Sequence, residues 1–144
     1  MLRAVLSPTK HKTKHKSEGE FDGRGLAAEH LQTGRIGEEA AKKHLKQKGY
    51  KIIEQNYRTK YGEIDLIASK GKELVFVEVR TRKREDYGLP EDTINKKKLK
   101  KIWLNVKAYI AAKKWWGPCR IDAISIILKE NNSIKRVNHY ENII

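Results

Sequence analysis

Cysteine is nearly absent from this chain. Cys119 is the single one among 144 residues, so no internal disulfide can form, and one thiolate cannot make a zinc site. That usage suits a reducing compartment, and the expected location is cytoplasmic. Long apolar runs are also missing: none approaches the roughly 20 residues of a transmembrane helix, so no membrane span is expected. The stretch Leu2, Ala4, Val5, Leu6 gives out at Pro8 and is too short for a secretory signal. There is no Ser/His/Asp triad, no phosphate-cradling glycine loop and no Rossmann fingerprint. His30, His44 and His139 show no coherent metal-ligand spacing. Acidic residues are scarce as well. Asp and Glu number 18 against 32 Lys and Arg, a net charge of +14. So strong an imbalance favours a polyanionic partner, with nucleic acid ahead of an anionic membrane surface.

Residues 1–25 lack hydrophobic periodicity and alternate Lys with His from Thr9 to Lys16. They read as a disordered basic arm carrying a small acidic patch at Glu18, Glu20 and Asp22. Residues 26–144 suffice for one domain. Residues 35–48 favour a helix that stops at Gly49, with Ile36, Ala40, Ala41, His44 and Leu45 on one face and Glu38 at its edge. Strands are expected over Tyr50–Arg58, Tyr61–Ser69 and Glu73–Arg82, the last two joined by a turn at Lys70-Gly71-Lys72. A second helix is predicted over 93–114, with Ile94, Ile102, Trp103, Val106 and Ile110 inward, broken by Gly117-Pro118. Strands over Arg120–Lys129 and Ile134–His139 close the chain. Helix, three strands, helix, two strands gives an α/β fold, a mixed sheet flanked by helices. Trp103 is expected in the core, and Trp115-Trp116 are placed there in preference to a base-stacking role.

The third strand is apolar on both faces, as in a strand covered on both sides. Yet Glu78 and Arg80 share a face with Phe76. Burying a carboxylate there is costly unless it is paired or coordinates a cation. Asp65, flanked by Ile64 and Leu66, poses the same question on the neighbouring strand, and Glu38 adds a third carboxylate. Clustered carboxylates repel, and a hard divalent cation resolves the repulsion; all-oxygen ligation favours Mg2+ or Mn2+. Such a site activates water and stabilises charge in phosphodiester hydrolysis, with Arg80 able to grip the phosphate. An internal ion pair, Asp65 or Glu78 with Arg80 or Arg58, is the competing reading. Glu63 faces the same way as Asp65 and would orient water or form a strand-end salt bridge. Arg82, Lys83 and Arg84, running on from Arg80, and Lys96, Lys97 and Lys98 at the start of the second helix are the candidate phosphate contacts. Lys100 and Lys101 extend that basic run. Arg58 and Asp122 are expected to serve as structural partners, a pairing with each other included.

Six segments then resemble a family. They are Gly34-Arg35-Ile36-Gly37-Glu38-Glu39-Ala40, Gly49-Tyr50, Asn56-Tyr57-Arg58, Gly62-Glu63-Ile64-Asp65-Leu66-Ile67, Phe76-Val77-Glu78-Val79-Arg80 and Arg120-Ile121-Asp122. Together they are similar to the YraN family of uncharacterised bacterial proteins, over roughly residues 30 to 144. That family is similar in turn to archaeal Holliday junction resolvases and the restriction-endonuclease-like superfamily. The resemblance implies that fold. It also implies Asp65 and Glu78 as metal ligands, Glu38 as a further one, and Arg80 in the place of a catalytic lysine. Arginine stays charged and is not suited to act as a base, so water activation would fall to the metal alone or to a lysine from elsewhere, with Lys60 the candidate. The implied substrate is DNA ahead of RNA, branched DNA included. A symmetric junction would call for a homodimer. The alternative is a nucleic-acid-binding module whose endonuclease site has decayed or been repurposed.

Overall fold

Alternation and helical spacing mark out the elements in the order read from the sequence. The computed structural model describes residues 24–83 and 94–144. Its described elements are α1 (Arg24–Gln47), β1 (Lys51–Thr59), β2 (Gly62–Lys70), β3 (Glu73–Arg82), α2 (Lys96–Lys113), β4 (Cys119–Leu128) and β5 (Ile134–Tyr140). The strands form one mixed sheet in the order β1-β2-β3-β4-β5. Neighbours are antiparallel except β3 and β4, which run parallel because the chain passes through α2 between them.

Each face of the sheet carries its own core. Ala41 and Leu45 of α1 pack on Leu66, Ala68, Val75, Val77, Ile124, Ile126 and Leu128. Ile102, Val106 and Tyr109 of α2 pack on Ile67, Leu74, Phe76 and Ile121. Odd residues of β3 meet one helix and even residues the other, which is why its sequence is apolar on both sides. The result is the α/β, restriction-endonuclease-like architecture expected. None of the described helices is long and apolar enough to cross a membrane.

Local chemistry sets the helix ends. Gly49 adopts φ +91°, and the Tyr50 amide returns to the Leu45 carbonyl at 2.9 Å, closing α1. Asn95 caps α2, its side chain accepting from the Lys98 amide at 2.9 Å, so the helix begins at Lys96 rather than residue 93. At the other end α1 starts at Arg24, eleven residues before the predicted start. Ala27 to Gln32 are good helix formers without proline, and the helix runs through them although they are exposed. An apolar stripe could not reveal that stretch. The chain divides into two compact units, Met1–Gln32 and Thr33–Ile144, and the second holds the sheet, α2 and both cores. The expected basic arm, apart from Arg24 and Gly25, lies outside the described residues.

Trp103 is a correction: it is 41% exposed. The buried stripe of α2 runs through Ile102, Asn105, Val106 and Tyr109, which turns residue 103 outward. Trp115 packs against the α2-side core, whereas Trp116 is 92% exposed. The expected Arg58–Asp122 pair does not form. Arg58 is exposed, with Glu63 at 3.9 Å. Asp122 is wholly buried and pairs with Arg120, two residues earlier on its own strand, at 2.9 Å. Asp122 also meets His139 Nε2 at 2.8 Å and accepts from the Asn142 amide at 3.0 Å. Burial alone would push the Asp122 carboxyl up, but these donors outweigh it and hold it below the usual carboxylate range. Arg120 reaches on to Glu73 at 2.7 Å and to the Tyr50 hydroxyl, tying β3, β4 and the end of α1 together. His44 stands 3.2 Å from His139, the outermost link of this network.

One glycine sets how closely α1 approaches β3. A Cβ at Gly37 would lie 1.8 Å from Thr81 Oγ1 and 2.8 Å from its Cβ. Gly37→Ala is therefore expected to lower unfolding stability by about 2 kcal/mol, read from urea denaturation. An unchanged midpoint would mean that the helix does not need this contact.

Candidate metal and phosphate centre

The site begins where the sheet forks. Pairing between β2 and β3 runs from Lys70 opposite Glu73 to Leu66 opposite Val77 and stops there. Pairing between β3 and β4 continues to Arg82 opposite Ile127. Asp65 is the first β2 residue past the fork, and its Oδ2 accepts the Val79 amide at 2.8 Å. A side chain thus takes a backbone proton that a continued ladder would have used. Glu78, 8% exposed, lies on β3 between Val77 and Val79.

Burial and the neighbouring Glu78 push the Asp65 carboxyl up to about 7, against the opposing Val79 amide; Glu38 and Glu63 add to the rise. Glu38 is also raised, by burial first, while a hydrogen bond from Asn56 opposes the rise. Asn56 Nδ2 donates to both Glu38 oxygens, at 3.3 and 3.4 Å. Asn56 holds φ +50°, between the pairs Gln55–Leu66 and Tyr57–Ile64, and so sits across from Asp65. No sequence signal assigned it this role, although a lone Asn in a strand is a residue suited to positive φ. The fold therefore brings Asp65, Glu78 and Glu38 into one electrostatic neighbourhood, with Glu63 at its border.

Two cations come to Glu78. Arg80 Nε lies 3.4 Å from Glu78 Oε2, and Lys98 Nζ lies 3.3 Å from the same oxygen. Both side chains stay about one-third exposed, so the pairs keep solvent contact. Lys98 was expected only as a phosphate contact; its place in the first turn of α2, over β3, directs it to the carboxylate instead. Lys60 does not reach the site: its Nζ sits 5.3 Å over the Tyr61 ring. Lys96 and Lys97 are exposed beside Lys98. Arg82 is half-buried at the end of β3, with Lys83 just beyond it, and Arg84 lies outside the described residues. Next to Glu78, Glu63, Ile64, Phe76, Ile102 and Asn105 line a very small pocket of about 10 Å³.

The residues present can be weighed against a metal ion. Among the described residues no three His, Cys, Asp or Glu side chains converge closely enough to enclose one. Asp65 and Glu78 nonetheless make an oxygen-only pair, and magnesium commonly keeps several waters while one or two carboxylates hold it. The raised Asp65 carboxyl reflects burial first and repulsion from Glu78 second, both of which a divalent cation would relieve.

Comparison with known proteins places the chain. The family described as "Uncharacterised protein family UPF0102" matches residues 37–126, most of the sheet, all of α2 and every carboxylate of the site. The chain belongs to this family. It is the one to which the YraN-like segments pointed. A UPF0102 protein of Pelotomaculum thermopropionicum is 41% identical over 110 residues, covering 76% of this chain and 92% of the relative. A UPF0102 protein of Cytophaga hutchinsonii is 46% identical over 102 residues, covering 71% and 90%.

The buried Asp65 carboxyl has a consequence for stability in metal-free protein. A carboxyl raised in the folded state contributes fully below the ordinary carboxylate range, and the contribution is lost as pH rises through about 7. Asp65→Asn keeps an acceptor for the Val79 amide and removes the charge. It is expected to be more stable than the parent by about 1–3 kcal/mol at pH 8 and little different at pH 4. Urea unfolding at both pH values checks this; no gain at pH 8 would refute the buried repulsion.

Proposed function

We propose that this UPF0102 protein hydrolyses phosphodiester bonds in nucleic acid with Mg2+ or Mn2+ at Asp65 and Glu78. The observation that carries the reading is the fork itself. A buried carboxylate pair, with one member pushed to about 7, opens beside two cations on a chain of net charge +14. Asp65 and Glu78 would hold the ion directly, and Glu38, steadied by Asn56, would stand behind them. When bound, the ion would supply Lewis-acid stabilisation of phosphate charge and a more acidic water.

The chain's own residues do the rest. The Val79 amide fixes the orientation of Asp65. Arg80 stays charged throughout and serves to grip and neutralise the phosphate. Lys98 brings to Glu78 the ammonium that the strand itself lacks, from α2 rather than from β3. Arg82, Lys83 and Arg84, with Lys96 and Lys97, would add salt-sensitive contacts to flanking phosphates. DNA, branched forms included, is the preferred substrate over RNA, and a symmetric four-way junction would require a homodimer.

A second reading has its own support. Glu78 is already neutralised by Arg80 and Lys98, and the described carboxylates do not close around an ion. A nucleic-acid-binding module would need no more than this. One screen separates the two, using labelled linear, flapped and four-way DNA with and without Mn2+. Under the nuclease reading Mn2+-dependent products appear, and Asp65→Asn and Glu78→Gln each lower the rate at least about 100-fold while binding persists. Metal-independent cleavage surviving both substitutions would sink it. Binding across the panel with no cleavage would establish the module.

A further inference from the structure

Nearly every buried polar atom in a folded protein finds a hydrogen-bond partner, and leaving one without costs roughly 1–3 kcal/mol. Among the described residues, four of the five buried side-chain atoms without a partner belong to a single face of the sheet: Arg80 Nε, Ser125 Oγ, and Arg136 Nε and Nη2. Ser125 stands directly beside Arg80 in the parallel pairing of β3 with β4. Arg136 stands beside Ile127, two residues further along β4, in its pairing with β5. Side chains paired across a ladder share a face, as do residues two apart on one strand. Ile121, on that same set of β4 positions, packs in the α2-side core. Arg80 and Ser125 stand in one cross-strand row and Arg136 in the next, opposite Ile127, so the three form a diagonal row over three strands on the face that bears Glu78. Ser125 is 2% exposed, and Arg80 Nε lies 3.4 Å from Glu78 Oε2 without making a hydrogen bond.

The row consists of two guanidiniums and a hydroxyl, and among the described residues no acceptor hydrogen-bonds these four atoms. A cation is repelled from such a place. The fitting ligand carries several acceptor oxygens and negative charge, which is the chemistry of a phosphate group. We propose that Arg80, Ser125 and Arg136 make a second phosphate subsite that receives the backbone phosphate next to the one held at Asp65 and Glu78. Identifying the ligand as nucleic acid rests on the proposed function; the capture of phosphate does not. The subsite would lead the strand from the fork across β4 to the edge strand β5, away from the lysines of α2.

The full-length protein in EDTA tests this without any cleavage. Arg136→Gln and Ser125→Ala are compared with Lys135→Gln, which removes the same charge from the exposed neighbour of Arg136. In the parent protein, millimolar inorganic phosphate is expected to raise the melting temperature. That rise should disappear in Arg136→Gln and shrink in Ser125→Ala. Affinity for a single-stranded oligonucleotide should fall about tenfold in Arg136→Gln, with the salt slope lower by about one ion, and much less in Lys135→Gln. Arg136→Lys, which keeps the charge but not the fork, should recover part of the loss. The proposal is overturned if phosphate protects Arg136→Gln as it does the parent, or if Lys135→Gln loses as much affinity. Phosphate protection that depends on Arg136 in a protein that binds no oligonucleotide would leave the subsite standing and remove the nucleic-acid reading instead.

Discussion

A carboxylate oxygen of Asp65 does the work of a strand carbonyl, and the site is arranged around that substitution. By taking the Val79 amide at 2.8 Å, Asp65 lets β2 leave β3 without stranding a buried donor. The same bond anchors the carboxylate close to Glu78, which is itself 8% exposed. Were the ladder to continue, Val79 would be satisfied by backbone and Asp65 would have no reason to lie inward. The opening between β2 and β3 and the acidity within it thus have one cause. Gly37 allows the third carboxylate to join, because only a hydrogen at that position lets α1 come down on Thr81 and carry Glu38 toward the fork.

Asp122 shows what a buried aspartate looks like when its purpose is structural. It is less exposed to solvent than Asp65, yet Arg120, His139 and the Asn142 amide all donate to it, and its carboxyl is held down rather than pushed up. The charge is answered by donors on every side, and the network it anchors joins α1, β3, β4 and β5. Asp65 receives one amide and faces other carboxylates. Two residues of the same type in one sheet therefore diverge in opposite directions. Under the proposed function, that divergence is what would set Asp65 apart from a structural ion pair. It also removes the competing account of Asp65 as half of an internal pair with Arg58, since Arg58 lies exposed and meets Glu63 instead.

Much of this was legible before any coordinates. Period-two alternation with apolar residues on both faces placed β3 centrally, and the impropriety of Glu78 and Asp65 in such strands marked the site. What could not be read has identifiable physical reasons. The first turns of α1 have no apolar stripe to mark them, and Ala27 to Gln32 are exposed. Trp103 was misplaced because hydrophobicity suggested burial, whereas the helical phase set by Ile102, Val106 and Tyr109 turns it out. Asp122 was assigned to Arg58 when its partner stood two residues away on its own strand, the one local spacing that guarantees a shared face. Long-range placements were hardest. Neither the reach of Lys98 to Glu78 nor the row from Arg80 to Arg136 follows from spacing, since both depend on which strands become neighbours.

The start of α2 shows the same preference for charge placement over stability. The partial positive charge at a helix N-terminus disfavours cations there, each by roughly 0.3–1 kcal/mol when exposed. Nevertheless Lys96, Lys97 and Lys98 fill the first turn, and no acidic residue stands in it. Asn95 satisfies one amide but cannot offset three ammonium groups. Glu78 answers Lys98 alone, which leaves Lys96 and Lys97 presented to solvent with the helix field adding to theirs. A stable helix that had no anion to meet would gain from an aspartate or glutamate at any of these positions. The arrangement makes physical sense if a polyanion passes the end of α2 within reach of the fork. Its charge would then convert a local penalty into binding energy at the edge of the carboxylate pair.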